Sequence, residues 1–216
     1  MIPESRQEKI YIPLVYKYIL KVNMTTKNES KVLRMILMAF GEDYSINYVA
    51  KQCNLTPNGA LKILKKFESQ EVLKLKKIAN INSYKINFTD NKTRSILELA
   101  LIPEIFKKLK FRMEDLKPLK NISEICIIFG SYIDEKKQPN DLDIFFVIKE
   151  NDFDKYKTLS KKIYQTMPIK VQDVLQTEED LKKNIINKDK VIIEIFRKGV
   201  ILWGQDKLIK IIENGR

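Results

Sequence analysis

Between Glu29 and Phe40 the apolar residues Val32, Leu33, Ile36, Leu37 and Phe40 recur three and four apart, which predicts an amphipathic helix closed by Gly41. Ser45 caps a second, short helix that holds Ile46, Val49 and Ala50. Thr56-Pro57, a capping side chain followed by Pro at the first helical position, starts a third helix running to about Gln70. Ala60, Leu61, Leu64 and Phe67 form its inner face. The period then changes. Val72 to Ile78 and Ser83 to Phe88 read as extended runs around the turn Ala79-Asn80-Ile81-Asn82. Residues 91–116 return to helical spacing and break at Pro103. Next come an apolar strand, Glu124 to Phe129, and a second one, Ile144 to Ile148, opened by Asp141-Leu142-Asp143. A helix near Asn151–Gln165, a strand near Ile169–Gln176, a helix start at Thr177 with Glu178-Glu179-Asp180, and a helix near Asp189–Lys198 complete the pattern.

Composition narrows the chemistry. The chain has 216 residues and a formal charge of +12, with 44% hydrophobic and 31% charged residues. It contains no His, which excludes Ser-His-Asp and Cys-His catalysis, His-ligated zinc and His-based pH switching. Two isolated cysteines, Cys53 and Cys126, form neither a zinc knuckle nor a disulfide framework and point to a reducing compartment. No apolar run reaches the roughly 18 residues a membrane span needs, and the first residues lack the order of a signal peptide. A soluble cytoplasmic protein with no membrane partner is expected. The excess of basic side chains is N-terminal: residues 1–110 carry +10 and residues 111–216 carry +2. That asymmetry suggests a polyanion-facing module joined to a more neutral one.

Three helices and a hairpin over residues 29–90 resemble a winged helix-turn-helix domain. The resemblance implies that Thr56 and Asn58 approach base edges in the major groove of DNA, with Lys62, Lys65 and Lys66 on phosphates and the hairpin lysines Lys76, Lys77 and Lys85 on the flanking backbone. The third helix has no Arg, so bidentate guanine reading is absent and salt-sensitive binding with modest sequence preference is expected. The alternative use of such a module is protein docking. Residues 1–28 and the connector 91–117 are too apolar to stay exposed, so a homodimer through them is a further expectation.

The order strand, Gly130-Ser131, nine residues, Asp141-Leu142-Asp143, strand carries the candidate chemistry. Carboxylates at i and i+2 of a strand project from one face, where their oxygens can hold a hard divalent ion. A Gly-Ser turn at a strand end can present backbone N–H groups and a hydroxyl to phosphate oxygens. This pattern resembles the nucleotidyltransferase superfamily of DNA polymerase β, and more narrowly the minimal nucleotidyltransferases of prokaryotes, over residues 118–216. The fold expected is α+β: an N-terminal winged helix-turn-helix domain followed by a small mixed-sheet nucleotidyltransferase domain. The resemblance implies two Mg²⁺ ions on Asp141 and Asp143, and ATP or another nucleoside triphosphate with its phosphates on Gly130 and Ser131. After Gly-Ser the run is Tyr132-Ile133-Asp134-Glu135, which leaves Lys136 and Lys137 as the basic phosphate contacts. The family adds a third carboxylate from a later strand. Asp173 is the candidate, and a one-residue slip of register would turn it away. The activity implied is transfer of AMP to a protein or RNA hydroxyl. Some minimal nucleotidyltransferases are antitoxins that adenylylate a partner toxin of the HEPN type, so an antitoxin or regulator role and a partner toxin follow from the resemblance. Two further readings stand beside it: a DNA-binding transcriptional regulator with an inactive nucleotidyltransferase fold, and a nucleic-acid-tailing, polymerase-like enzyme.

Overall fold

The computed structural model describes residues 25–103, 107–134 and 137–215. The apolar extension at 1–28 therefore lies almost wholly outside the described residues. The chain opens with α1 (Lys27–Leu37), α2 (Ile46–Cys53) and α3 (Pro57–Ser69), followed by the hairpin β1 (Leu73–Ile78) and β2 (Ile81–Ile86). Each of these helices starts at a side-chain cap. Thr26 and Glu29 form a reciprocal capping box on α1, Ser45 accepts from the Tyr48 N–H, and Thr56 accepts from the Gly59 N–H ahead of Pro57. The hairpin turn is tighter than its composition suggests. Only Ala79 and Asn80 lie outside the strands, and Ile78 pairs with Ile81.

The break near Pro103 yields two helices, α4 (Asn91–Leu101) and α5 (Lys107–Leu116), and a 3-10 turn at Lys117–Asn121 then leads into the sheet. The sheet holds β3 (Ile125–Phe129), β4 (Asp141–Val147), β5 (Lys170–Gln176) and β6 (Val200–Trp203) in the order β5-β4-β3-β6. β4 runs antiparallel to β3 and parallel to β5, so α6 (Phe153–Thr166) forms the crossover that parallel pairing demands. α7 (Glu178–Ile186), α8 (Lys190–Lys198) and α9 (Gln205–Asn214) complete the chain. α9 is an element that the sequence pattern above did not include. Its Leu208, Ile209, Ile211 and Ile212 are all buried.

Alternation along β4 divides the core. Leu142, Ile144 and Phe146 join Cys126 and Ile128 of β3 on one face, against Leu109 and Leu116 of α5 and Tyr156 of α6. Phe145 and Val147 join Ile125 and Ile127 on the other, against Ile195 and Phe196 of α8 and Leu208 of α9. That second core runs without interruption into the N-terminal helices: it includes Val32, Leu33, Leu37, Phe40, Leu64 and Phe67. Phe196 touches both sides, with ring centroids 5.6 Å from Phe145 and 6.3 Å from Phe40. Two arginines tie the same seam. Arg34 of α1 donates to the carbonyls of Phe196 and Gly199 at the end of α8, and Arg197 of α8 donates to the Met38 carbonyl. Both cysteines are free and buried, and among the described residues no helix is long and apolar enough to cross a membrane.

Candidate active site

The antiparallel register sets Phe129, the last residue of β3, opposite Asp143, so the turn that follows β3 falls beside the opening of β4. Gly130 begins a short 3-10 turn, Gly130–Ile133, with φ at +71°. That conformation suits glycine, and the space requires it as well. A β-carbon at position 130 would lie 2.1 Å from Asp143 Oδ2 and 3.1 Å from its Cγ. The Asp143 carboxylate thus fills the place where any other residue would carry a side chain. Ser131 follows in the same turn, half-buried.

Asp141 and Asp143 sit on one face of β4, both half-buried, with Leu142 buried on the other. Burial, and the Asp141 charge beside it, push the Asp143 carboxyl up from the ordinary aspartate range. Among the described residues neither carboxylate has an ion pair. Asp141 accepts a hydrogen bond of 2.5 Å from the Gln172 side-chain amide. Lys170 lies opposite Asp141 in the β4–β5 register without forming an ion pair, so the two like charges remain close together, an arrangement that a hard divalent ion would complete.

The parallel register decides the third position. Asp143 is paired with Gln172 and Ile144 with Asp173. Gln172 therefore shares the face of the two aspartates, and Asp173 belongs to the opposite one. There Asp173 accepts hydrogen bonds from Tyr156 (2.6 Å) and Tyr164 (3.2 Å) of α6. The expectation that Asp173 joins the pair is corrected by this register. The side chain beside the aspartates is a neutral amide, and among the described residues no group of three or more Asp, Glu, Cys or His is arranged to hold a metal. Of the basic candidates after Gly-Ser, Lys136 lies outside the described residues. Lys137 is exposed, 3.8 Å from Asp134, and faces a separate cavity.

The N-terminal candidates divide as well. Thr56, the cap of α3, lies exposed, as do Asn58, Lys62 and Lys65 on the helix and Lys77 on β1. Lys66 instead turns inward to Glu29 of α1 at 2.6 Å. Lys76 and Lys85 both face Asp43, at 2.7 and 3.8 Å. These three spend their charge on the protein itself. None of the pairings was readable from helical or strand spacing, because each joins elements more than 30 residues apart.

Residues 114–202, somewhat less than half of the chain, match the family described as polymerase beta, nucleotidyltransferase. The match runs from the end of α5 into β6, covering all of the sheet but Trp203, and supports the nucleotidyltransferase superfamily for that segment. Neither the curated proteins nor the solved structures searched include a match to the chain.

Proposed function

We propose that this protein is a nucleotidyltransferase that uses a divalent cation to move AMP from ATP onto a hydroxyl of a protein or RNA acceptor, the hydroxyl oxygen bonding to the α-phosphorus as the α–β phosphoanhydride breaks and pyrophosphate leaves. The observation that carries the reading is the pair Asp141 and Asp143, unneutralised, on one strand face with Gly130 packed against Asp143. Asp141 and Asp143 would hold Mg²⁺, and the Gln172 amide, whose nitrogen donates to Asp141, would have to turn its oxygen to the ion to serve as a neutral third ligand. When bound, the ion supplies charge neutralisation at the phosphoryl oxygens. The chain's own residues do the rest. Gly130 keeps the turn free of a side chain, so that phosphates can approach the backbone N–H groups. Ser131 offers a hydroxyl to the same phosphates. The burial and the Asp141 charge that raise the Asp143 carboxyl would be offset by a cation bound to the pair.

The test uses Mg²⁺, ATP labelled on its α-phosphate, and protein and RNA acceptors, with Asp143→Ala as the control. Label on an acceptor, lost in the variant, upholds the reading. No label on any acceptor, together with no Mg²⁺ binding by the wild type, refutes it.

Gln172 favours a second reading, a DNA-binding regulator whose nucleotidyltransferase fold is inactive. An amide in place of the expected carboxylate weakens metal binding. The arrangement of α1 to α3 with the β1–β2 hairpin supports a winged-helix use of the N-terminal part, with Thr56, Asn58, Lys62 and Lys65 toward DNA and Lys77 on its flank. Salt-sensitive duplex binding without label transfer would favour it over the enzyme.

A further inference from the structure

A cavity of about 340 Å³ opens at the end of the sheet where β4 and β5 begin. It is lined by Lys108 and Arg112 of α5, Tyr132 of the 3-10 turn, Lys137 and Gln138, and closed by apolar side chains that include Ile169. Arg112 is more than nine-tenths buried. Its Nη2 lies 3.0 Å from Asp115, but its Nε and Nη1 have no hydrogen-bond partner among the described residues. A buried guanidinium with two unanswered nitrogens is costly to maintain unless an acceptor arrives. Lys108 reaches toward the same space. Its ammonium sits 4.3 Å over the Tyr132 ring and makes one long contact, 3.4 Å, with the Lys137 carbonyl. Lys137 is held loosely, with Asp134 at 3.8 Å. Among the described residues Asp115 and Asp134 lie beside these cations, and Asp115 Oδ2 too is left without a hydrogen-bond partner, but neither carboxylate lines the cavity, whose charged lining is Lys108, Arg112 and Lys137.

We infer that this cavity binds a phosphate group, through Arg112, Lys108 and Lys137, at a site separate from the Asp141–Asp143 pair. A phosphate presents several oxygens in different directions, which suits donors that do not share one plane. The aromatic and aliphatic wall made by Tyr132 and Ile169 has room for an organic body attached to that phosphate. Arg112 and Lys108 precede the segment matched by the family, so the site is formed jointly by the connector helix and the sheet. It needs only a phosphate-class anion and stands whether or not nucleotidyl transfer occurs.

The test is isothermal calorimetry on the full chain without divalent ions, with inorganic phosphate, pyrophosphate and AMP titrated separately. Saturable binding is expected that Arg112→Gln weakens at least about tenfold and the double variant Lys108→Ala/Lys137→Ala weakens several-fold, while Asp143→Asn leaves it unchanged. AMP binding more tightly than phosphate identifies a nucleotide as the source; equal affinities identify the free anion. If Arg112→Gln does not fold, the double lysine variant decides. The inference is overturned if none of the three anions binds, if the double variant binds as the wild type does, or if Asp143→Asn abolishes binding.

Discussion

Replacing Gly130 with Ala tests the link between the turn and the carboxylate directly. Two penalties arise. The backbone sits at φ +71°, where a β-carbon costs about 1–2 kcal/mol. The new methyl would also lie 2.1 Å from Asp143 Oδ2, far inside ordinary contact of about 3.5 Å. Asp143 cannot retreat as a whole, because its backbone is held in register with Phe129. Its side chain must rotate off its preferred position, at about 0.5–1.5 kcal/mol. The expected loss is about 2 kcal/mol in urea unfolding, with Mg²⁺ affinity in calorimetry down at least about tenfold as one of two carboxylates leaves the site. In an Asp143→Ala background the clash disappears and only the backbone penalty remains. Gly130→Ala should then cost less, and the double-mutant cycle should show a coupling of roughly 0.5–1 kcal/mol. The reasoning fails if Gly130→Ala leaves stability and Mg²⁺ affinity intact, or costs as much without the Asp143 carboxylate as with it.

Gln172→Glu places a third carboxylate beside the pair. It should raise Mg²⁺ affinity in calorimetry while lowering the melting temperature of the metal-free protein, since like charges are brought together. The pair Lys66–Glu29 should behave as a stabilising contact and not as a nucleic-acid contact. Burial alone would raise the Glu29 carboxyl, but hydrogen bonds from the Lys66 ammonium and the Thr26 N–H bring it below its ordinary value. The stability it contributes is therefore fully present above the ordinary glutamate value and lost as pH falls through its lowered folded value. Glu29→Gln should cost about 1 kcal/mol at pH 7 in urea unfolding and progressively less as acid protonates the carboxylate. Lys62→Ala should reduce the salt slope of duplex binding by about 1, whereas Lys66→Ala should lower stability and leave the slope unchanged.

Local signals were readable in the sequence wherever chemistry and spacing coincide within a few residues. Thr56-Pro57 located the start of α3, Ser45 the start of α2, and the strand–Gly-Ser–strand order located β3, its turn and β4. Position 173 was not readable. β5 is an edge strand exposed at 172, 173 and 174, so no burial contrast distinguishes its two faces, and only pairing with β4 reveals that Gln172 accompanies the aspartates. Arg112 gave no signal either, because the isolation of its Nε and Nη1 is a property of packing. α9 did carry one: Leu208, Ile209, Ile211 and Ile212 follow Gly204 at helical spacing.

The seam fastened by Arg34, Arg197 and Phe196 has a consequence for how the protein can be dissected. With one apolar interior shared by the first helices and the sheet, heat or denaturant should meet a single cooperative unit. A fragment cut after the hairpin would expose Phe40 and the inner side of α1 to water, and the remaining fragment would present Phe196 and two bare carbonyls at the end of α8. Whatever a ligand does to one half, by stiffening or loosening it, is therefore mechanically available to the other.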